Sequence, residues 1–211
     1  RAIDAPVEPT LEDREIARRA VPPGRVPGWL RRTILVVLSL AFFAIGMHQA
    51  GRDAPTVDEG VDVSSGVAAL VRHDLRMVPE HPVLPKAVAA LPALLAKPIV
   101  PDTQAWRDGD WFDWSDDFIS ANDEAGRLHD VLLWSRAVLL LEAIAAGALL
   151  YLLTKRSFGP DGGLLAAVCW LTTPYVVGLS HVAMIDLPFT LAVCGVALLL
   201  ARWSDAPTVG R

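Results

Sequence analysis

Residues 131–153 read VLLWSRAVLLLEAIAAGALLYLL, an apolar run that only Arg136 and Glu142 interrupt. At the rise of an α-helix, about 20 apolar residues cross the hydrocarbon core of a bilayer. Three further runs have no Asp, Glu, Lys or Arg, and they lie between Arg32 and Arg52, between Asp161 and Asp186, and between Asp186 and Arg202. The sequence therefore predicts four transmembrane helices, at residues 33–50, 131–153, 162–180 and 188–203.

The composition agrees with a membrane protein whose charges are kept apart from its apolar runs. Hydrophobic residues make up 53% of the chain and charged residues 20%, with a net charge of −5. This is too apolar for an ordinary soluble domain. No basic stripe with interleaved aromatic residues is present, so a nucleic-acid partner is not expected. We predict an all-α polytopic membrane protein in contact with the lipid bilayer.

The distribution of basic residues predicts the orientation of the spans. Arg25, Arg31 and Arg32 precede the first apolar run, and such a cluster usually stays in the cytoplasm. Residues 1–32 are then a cytoplasmic lead, loosely structured because it is rich in proline and charge. The segment 51–130, in which acids clearly outnumber Lys and Arg, lies outside. The short turn 154–161 with Lys155 and Arg156 returns inside, the turn 181–187 lies outside, and the tail 204–211 lies inside.

The outer loop carries helix signals of its own. Thr56-Val-Asp-Glu59 is a capping-box pattern, and apolar residues then recur at helical spacing from Val63 to Val71. The stretch 83–96 is apolar but too short to span a bilayer, which predicts a helix lying on the outer leaflet. Four aromatic residues that follow are expected to form a belt at the level of the headgroups, namely Trp106, Trp111, Phe112 and Trp114.

Acidic residues at two predicted outer span ends are candidates for chemistry. Asp58 and Glu59 follow span one, and Asp186 sits in the turn before span four. An ionisable group at membrane depth is costly and therefore often functional. Two structural alternatives remain open: Asp58 and Glu59 are also favoured as first-turn acids of a helix, and Asp186 as a cap ahead of Pro188.

A third feature is Pro79-Glu80-His81-Pro82, an acid and an imidazole between two prolines that limit backbone freedom. A protein zinc site needs three or four ligands, so one Glu-His pair does not indicate a metal. A divalent metal stays possible without being indicated, and a solvated loop pair is the alternative. Glu142, in the middle of span two, is expected to pack against another helix.

The order of these features resembles the phospholipid-carrier-dependent glycosyltransferases of the GT-C superfamily, which include protein O-mannosyltransferases and aminoarabinose transferases. The resemblance covers about residues 30–203. It rests on Val57-Asp-Glu-Gly60, on residues 74–87 (DLRMVPEHPVLPKA), on Ser135-Arg-Ala-Val138, on Ser157-Phe-Gly-Pro160, and on residues 180–188 (SHVAMIDLP). It implies a GT-C membrane fold with further spans in the complete protein, so that this four-span fragment is expected to be inactive alone.

The resemblance also implies roles for the candidate residues. Asp58 maps to the catalytic base, and Asp186 to a second catalytic acid after span three. Glu59, Glu80 and His81 map to the region that binds the substrate and the carrier phosphate. The implied partners are a polyprenyl-phosphate-linked sugar and a hydroxyl acceptor on a protein, a lipid or a glycan, with transfer on the outer face.

Two readings from other classes compete with this one. In a transporter or channel fragment, Glu142 and Asp186 would line a substrate path. In a non-catalytic membrane assembly subunit, the fold would persist without chemistry. The long outer loop with its amphipathic helix favours the transferase, since a transporter has little use for it. Nothing in the sequence identifies the sugar or the acceptor.

Overall fold

A computed structural model describes residues 24–205. The predicted cytoplasmic lead up to residue 23 and the tail from residue 206 lie outside the described residues. The described part of the chain is helical and contains no strand. The helices are α1 (Gly28–Ala50), α2 (Val57–Arg72), α3 (Val83–Ala93), α4 (Gln104–Asp108), α5 (Trp111–Glu124), α6 (Leu128–Thr172), α7 (Pro174–Leu179) and α8 (Asp186–Asp205), with a 3-10 turn at Leu94–Ala96 after α3. The chain is an all-α polytopic membrane protein.

Three of these helices, α1, α6 and α8, are long and apolar enough to cross a membrane. With 45 residues, α6 would extend about 68 Å if it were straight, roughly twice the hydrocarbon thickness. It is not straight, because Gly159 interrupts it with φ 74° and ψ 177°, a conformation open essentially only to glycine. The break lies inside the turn predicted at residues 154–161.

The two arms of α6 fold back against each other as a hairpin. Trp170 on the second arm donates its indole N–H to the carbonyl oxygen of Ala143 on the first, at 2.8 Å. A Cβ atom at Gly163 would lie 2.8 Å from the carbonyl oxygen of Tyr151, so glycine allows the arms to approach closely. The arms correspond to predicted spans two and three, while the count of four spans stays a prediction.

The start of α1 and the α6 break lie at the same end of the helices. Asp161 Oδ1 accepts from the Arg31 guanidinium at 3.1 Å, and its Oδ2 accepts from the main-chain N–H groups of Arg25 and Val26. The flank of span one and the turn 154–161 therefore share one side, as predicted. Which side faces the cytoplasm stays a prediction.

The segment between α1 and α6 has a packed core of its own. Thr56 caps α2, and the predicted capping box with Glu59 is confirmed. Trp106 and Trp114 are buried, and their rings contact each other in a tilted arrangement with centroids 4.9 Å apart. The expectation that these two rings belong to a headgroup-level belt is wrong, because they fill the interior of the loop segment. Phe112 is exposed.

Helix α3 lies against α2 with one face and exposes the other. A Cβ atom at Gly66 of α2 would lie 2.3 Å from the carbonyl oxygen of Lys86, which shows how closely the two backbones approach. The buried face consists of Lys86, Ala89, Ala90 and Ala93. The exposed face is apolar and consists of Leu84, Val88 and Leu91, and Leu95 of the following 3-10 turn is also exposed. An unpaired apolar stripe beside membrane-spanning helices has the character predicted for a surface-lying helix.

Candidate active site

The neighbouring acids of the first turn of α2 have opposite environments. Asp58 is exposed, whereas the side chain of Glu59 is completely buried. Successive helix residues point about 100° apart, so one carboxylate turns to the outside of the loop segment and the other into the interior. Of the two carboxylates, only that of Asp58 is open to solvent.

Glu59 forms a buried bidentate ion pair with Arg136 of α6. Arg136 Nε donates to Oε1 and Nη2 to Oε2, both at 2.7 Å, and the Arg136 side chain is 2% exposed. The main-chain N–H groups of Thr56 and Ala183 donate to the same carboxylate, at 3.0 Å and 2.8 Å. Glu59 thus joins the start of α2, span two and the turn before α8 at one point.

The remaining N–H groups of Arg136 hold the chain that leaves span one. Nη1 donates to the carbonyl oxygens of Ala50 and Asp53, at 2.6 Å and 3.0 Å, and Nη2 donates to that of Ala54 at 3.2 Å. A guanidinium has five N–H donors, and all five are used. This satisfies the condition under which a buried ion pair is tolerated.

The turn before α8 has a second attachment to the first loop. His181 is buried, and its Nε2 lies 2.7 Å from Oδ2 of Asp53. Asp186 is exposed at the first position of α8, three residues after Ala183. The structure therefore holds the turn that carries Asp186 against the start of the helix that carries Asp58.

A mostly apolar cavity of about 240 Å³ opens at Asp186. Its walls come from the second arm of α6, from α7 and from the start of α8, and they include Trp170, Tyr175, Met184, Phe189 and Thr190. Asp186 is the only acid among the residues that line it. The cavity thus places one carboxylate at the edge of an apolar space.

A cluster of charged groups lies one turn beyond Asp58. Asp62 is buried, and its Oδ1 lies 2.9 Å from Nδ1 of His81. Lys86 is 2% exposed, and its Nζ donates to the carbonyl oxygens of Val78 at 2.9 Å and Met77 at 3.3 Å. The turn with the predicted pair Glu80-His81 therefore contacts two buried side chains of opposite charge, Asp62 and Lys86.

Burial acts on the pKa values of both charges in this cluster. It raises the pKa of Asp62, against the hydrogen bond and charge of His81 and the charge of Lys86, and the negative charge of Asp58 adds to the rise. Burial lowers the pKa of Lys86, while the charges of Asp62 and Glu80 act in the opposite direction. Asp58, Asp62, His81, Lys86 and Glu80 thus form one electrostatically connected group.

Residue patterns alone missed three members of this arrangement. Arg136 interrupts an apolar span, and that isolated charge was a signal that it has a buried partner. Asp62 and Lys86 carried weaker signals, because an acid or a lysine on an amphipathic helix is usually solvated. Between residues 24 and 205, no three His, Cys, Asp or Glu side chains are grouped closely enough to hold a metal ion.

A family model matches part of the chain. Residues 129–209 match the family described as dolichyl-phosphate-mannose-protein mannosyltransferase. The match covers less than half of the chain and supports a mannosyltransferase family of the GT-C type. The matched stretch includes Arg136, His181 and Asp186 but not the first outer loop. No curated protein and no solved structure matches the chain.

Proposed function

We propose that the protein transfers a sugar from a polyprenyl-phosphate carrier to a hydroxyl acceptor, with Asp58 as the general base. The observation that carries this proposal is the set of four hydrogen bonds that the Glu59 carboxylate accepts from three residues, Arg136, Thr56 and Ala183. It holds an exposed Asp58 and the turn leading to Asp186 at the same end of the helices. The family match over residues 129–209 supports the reaction class.

In the proposed reaction, Asp58 accepts the proton of the acceptor hydroxyl as that oxygen attacks the anomeric carbon of the sugar. The bond between the anomeric carbon and the phosphate oxygen breaks, and the carrier phosphate leaves with the electron pair. A carboxylate in the first turn of a helix is favoured by the positive end of the helix dipole. General-base catalysis requires that the acid be ionised before the hydroxyl binds.

We assign Glu59 to positioning rather than to substrate contact. Both carboxylate oxygens are occupied by protein donors, and the side chain has no exposed surface. Its effect on a substrate would therefore pass through the placement of Asp58 and of the turn before α8. Arg136 shares this role as its partner.

Glu80 and His81 are the residues we assign to the carrier phosphate. His81 contacts Asp62, which lies one helical turn after Asp58, and Glu80 precedes His81 in the same turn. Glu80 is exposed, and His81 is partly exposed. An imidazolium N–H is a good donor to a phosphate oxygen, and such a contact would stabilise the charge of the departing phosphate. Asp186, at the edge of the 240 Å³ cavity, is assigned to the second catalytic position.

A transporter is the second candidate, and Glu142 is the observation that favours it. This residue lies in the middle of the first arm of α6, and its Oε2 is buried without a partner among the described residues. An ionisable side chain at membrane depth marks substrate paths in transporters. The mannosyltransferase match favours the transferase over this candidate.

The first prediction is that Asp58→Asn lowers the transfer rate by about 10²–10⁴ while membrane insertion is unchanged, since the amide keeps the size of the side chain but cannot accept the proton. Asp186→Asn should also impair transfer. The assay uses the full-length protein in membranes with a radiolabelled polyprenyl-phosphate sugar and a native acceptor.

Asp113→Asn is the matched control for Asp58→Asn. Asp113 is also an exposed acid in the first turn of a loop helix, α5. Loss of a first-turn acid alone costs less than about 1 kcal/mol of stability, so this variant should transfer sugar at nearly the normal rate. If Asp58→Asn and Asp113→Asn behaved alike, Asp58 would not be the base.

A further inference from the structure

The turn that carries Glu80 and His81 has a strained backbone. The main-chain N–H of His81 donates to the carbonyl oxygen of Val78 at 3.2 Å, which closes a turn over residues 78–81. Val78 has φ 54°, a left-handed conformation that a β-branched residue rarely adopts. Such a conformation is unfavourable and persists only when surrounding contacts hold it.

The buried charged side chains of Lys86 and Asp62 form hydrogen bonds with this turn. The ammonium of Lys86 donates to the Val78 carbonyl oxygen, the same atom that accepts from His81, and to the preceding carbonyl of Met77. The carboxylate of Asp62 forms a hydrogen bond with Nδ1 of His81. The strained residue and the imidazole are therefore fixed by two different side chains from two different helices.

The cost of this support indicates that it has a use beyond stability. Taking an ammonium and a carboxylate out of water is unfavourable, and well-packed apolar residues often stabilise a fold as well or better. Here the side chains of Asp62 and Lys86 are 6% and 2% exposed, whereas that of His81 is 38% exposed. The buried charges of Asp62 and Lys86 thus hold a turn whose histidine, His81, is partly exposed at the surface.

We propose that Asp62 and Lys86 are positioning residues that present Nε2 of His81 to the carrier phosphate. In the protonated ring of His81, the N–H of Nδ1 donates to Asp62. The second N–H, on Nε2, is then available to donate to a phosphate oxygen. Nε2 has no hydrogen-bond partner among residues 24–205. Lys86 keeps the turn in the strained form that places the ring. This inference rests on the proposed function, since it names how that site holds its donor.

The second prediction follows for steady-state transfer by the full-length protein in vesicles. Asp62→Asn and Lys86→Met should each raise the KM for the polyprenyl-phosphate sugar roughly ten-fold, as when a charge-assisted hydrogen bond is weakened, and change kcat much less. Lys97→Met is the matched control, because Lys97 is exposed in the same loop and its ammonium has no partner among residues 24–205. A purely structural role would instead lower kcat through loss of folded enzyme and leave KM unchanged.

A double-mutant cycle tests whether Asp62 acts through His81. Added to His81→Gln, Asp62→Asn should not raise KM further, whereas independent effects would multiply. Asp62→Asn keeps the side-chain volume, so the test stands even if Lys86→Met fails to fold. An unchanged KM in Asp62→Asn, or full multiplication in the cycle, would overturn the inference.

Direct binding of polyprenyl phosphate separates this inference from the proposed function. Weaker binding by Asp62→Asn than by the wild type supports the positioning role, even if Asp58→Asn proves fully active and the base assignment fails. Equal binding by both proteins overturns the positioning role, whatever the activity of Asp58→Asn.

Discussion

At the scale of single residues, the decisive group is the Arg136 guanidinium. Its planar fork matches the Glu59 carboxylate bidentately, and its other donors reach the main-chain oxygens of Ala50, Asp53 and Ala54. Removing one partner leaves the other as an unpaired buried charge, which is far more costly than the net contribution of the intact pair.

The third prediction is that Arg136→Met or Glu59→Gln destabilises the protein by about 3–5 kcal/mol, whereas the double variant loses clearly less than the sum. Thermal unfolding of the detergent-solubilised protein measures both. Arg107→Met is the control, since its ion pair with Asp102 is exposed and such pairs contribute about 0–1 kcal/mol. Strict additivity of the two substitutions would show that the pair is not coupled.

At the scale of elements, the break in α6 decides the path of the chain. A continuous helix would carry residues 160–172 away from span two, whereas the hairpin packs them against it. The return places α7 and the start of α8 at the end of the helices where α2 begins. Without it, Ala183 could not reach Glu59.

The fourth prediction is that Gly159→Ala destabilises the protein by about 1–3 kcal/mol, because the backbone at this position is essentially restricted to glycine. Gly178→Ala is the control, since Gly178 lies in α7 and a Cβ atom there would meet nothing within 4 Å. Thermal unfolding compares the two variants, and equal stabilities would mean that the chain can bend here without the glycine conformation.

At the scale of the whole molecule, charged groups collect at the two ends of the helices. One end holds Arg31 with Asp161, and the other holds Glu59 with Arg136 and the Asp62 cluster. The contacts establish which segments share a side, and the basic flank of span one predicts that the first end is cytoplasmic.

The fifth prediction is that an impermeant thiol reagent applied to intact cells labels Asp116→Cys but not Lys155→Cys. Both positions are exposed, and Cys169 and Cys194 are replaced beforehand. Labelling after permeabilisation shows that Lys155→Cys is reactive. Labelling of position 155 but not of position 116 in intact cells would reverse the topology.

The sequence alone determined the helical membrane class and the capping box at Thr56, and it predicted the turn at residues 154–161 in which α6 breaks. These depend on hydropathy, helix-capping chemistry and glycine or proline signals, all of which are local in the chain. Only the tertiary structure decided that Glu59 is buried while Asp58 is open. The Glu59–Arg136 pair joins residues 77 positions apart, and no local pattern encodes which distant cation a buried carboxylate will meet. The same reason explains why the sequence did not predict the roles of Asp62 and Lys86, since both become buried only when α3 packs on α2.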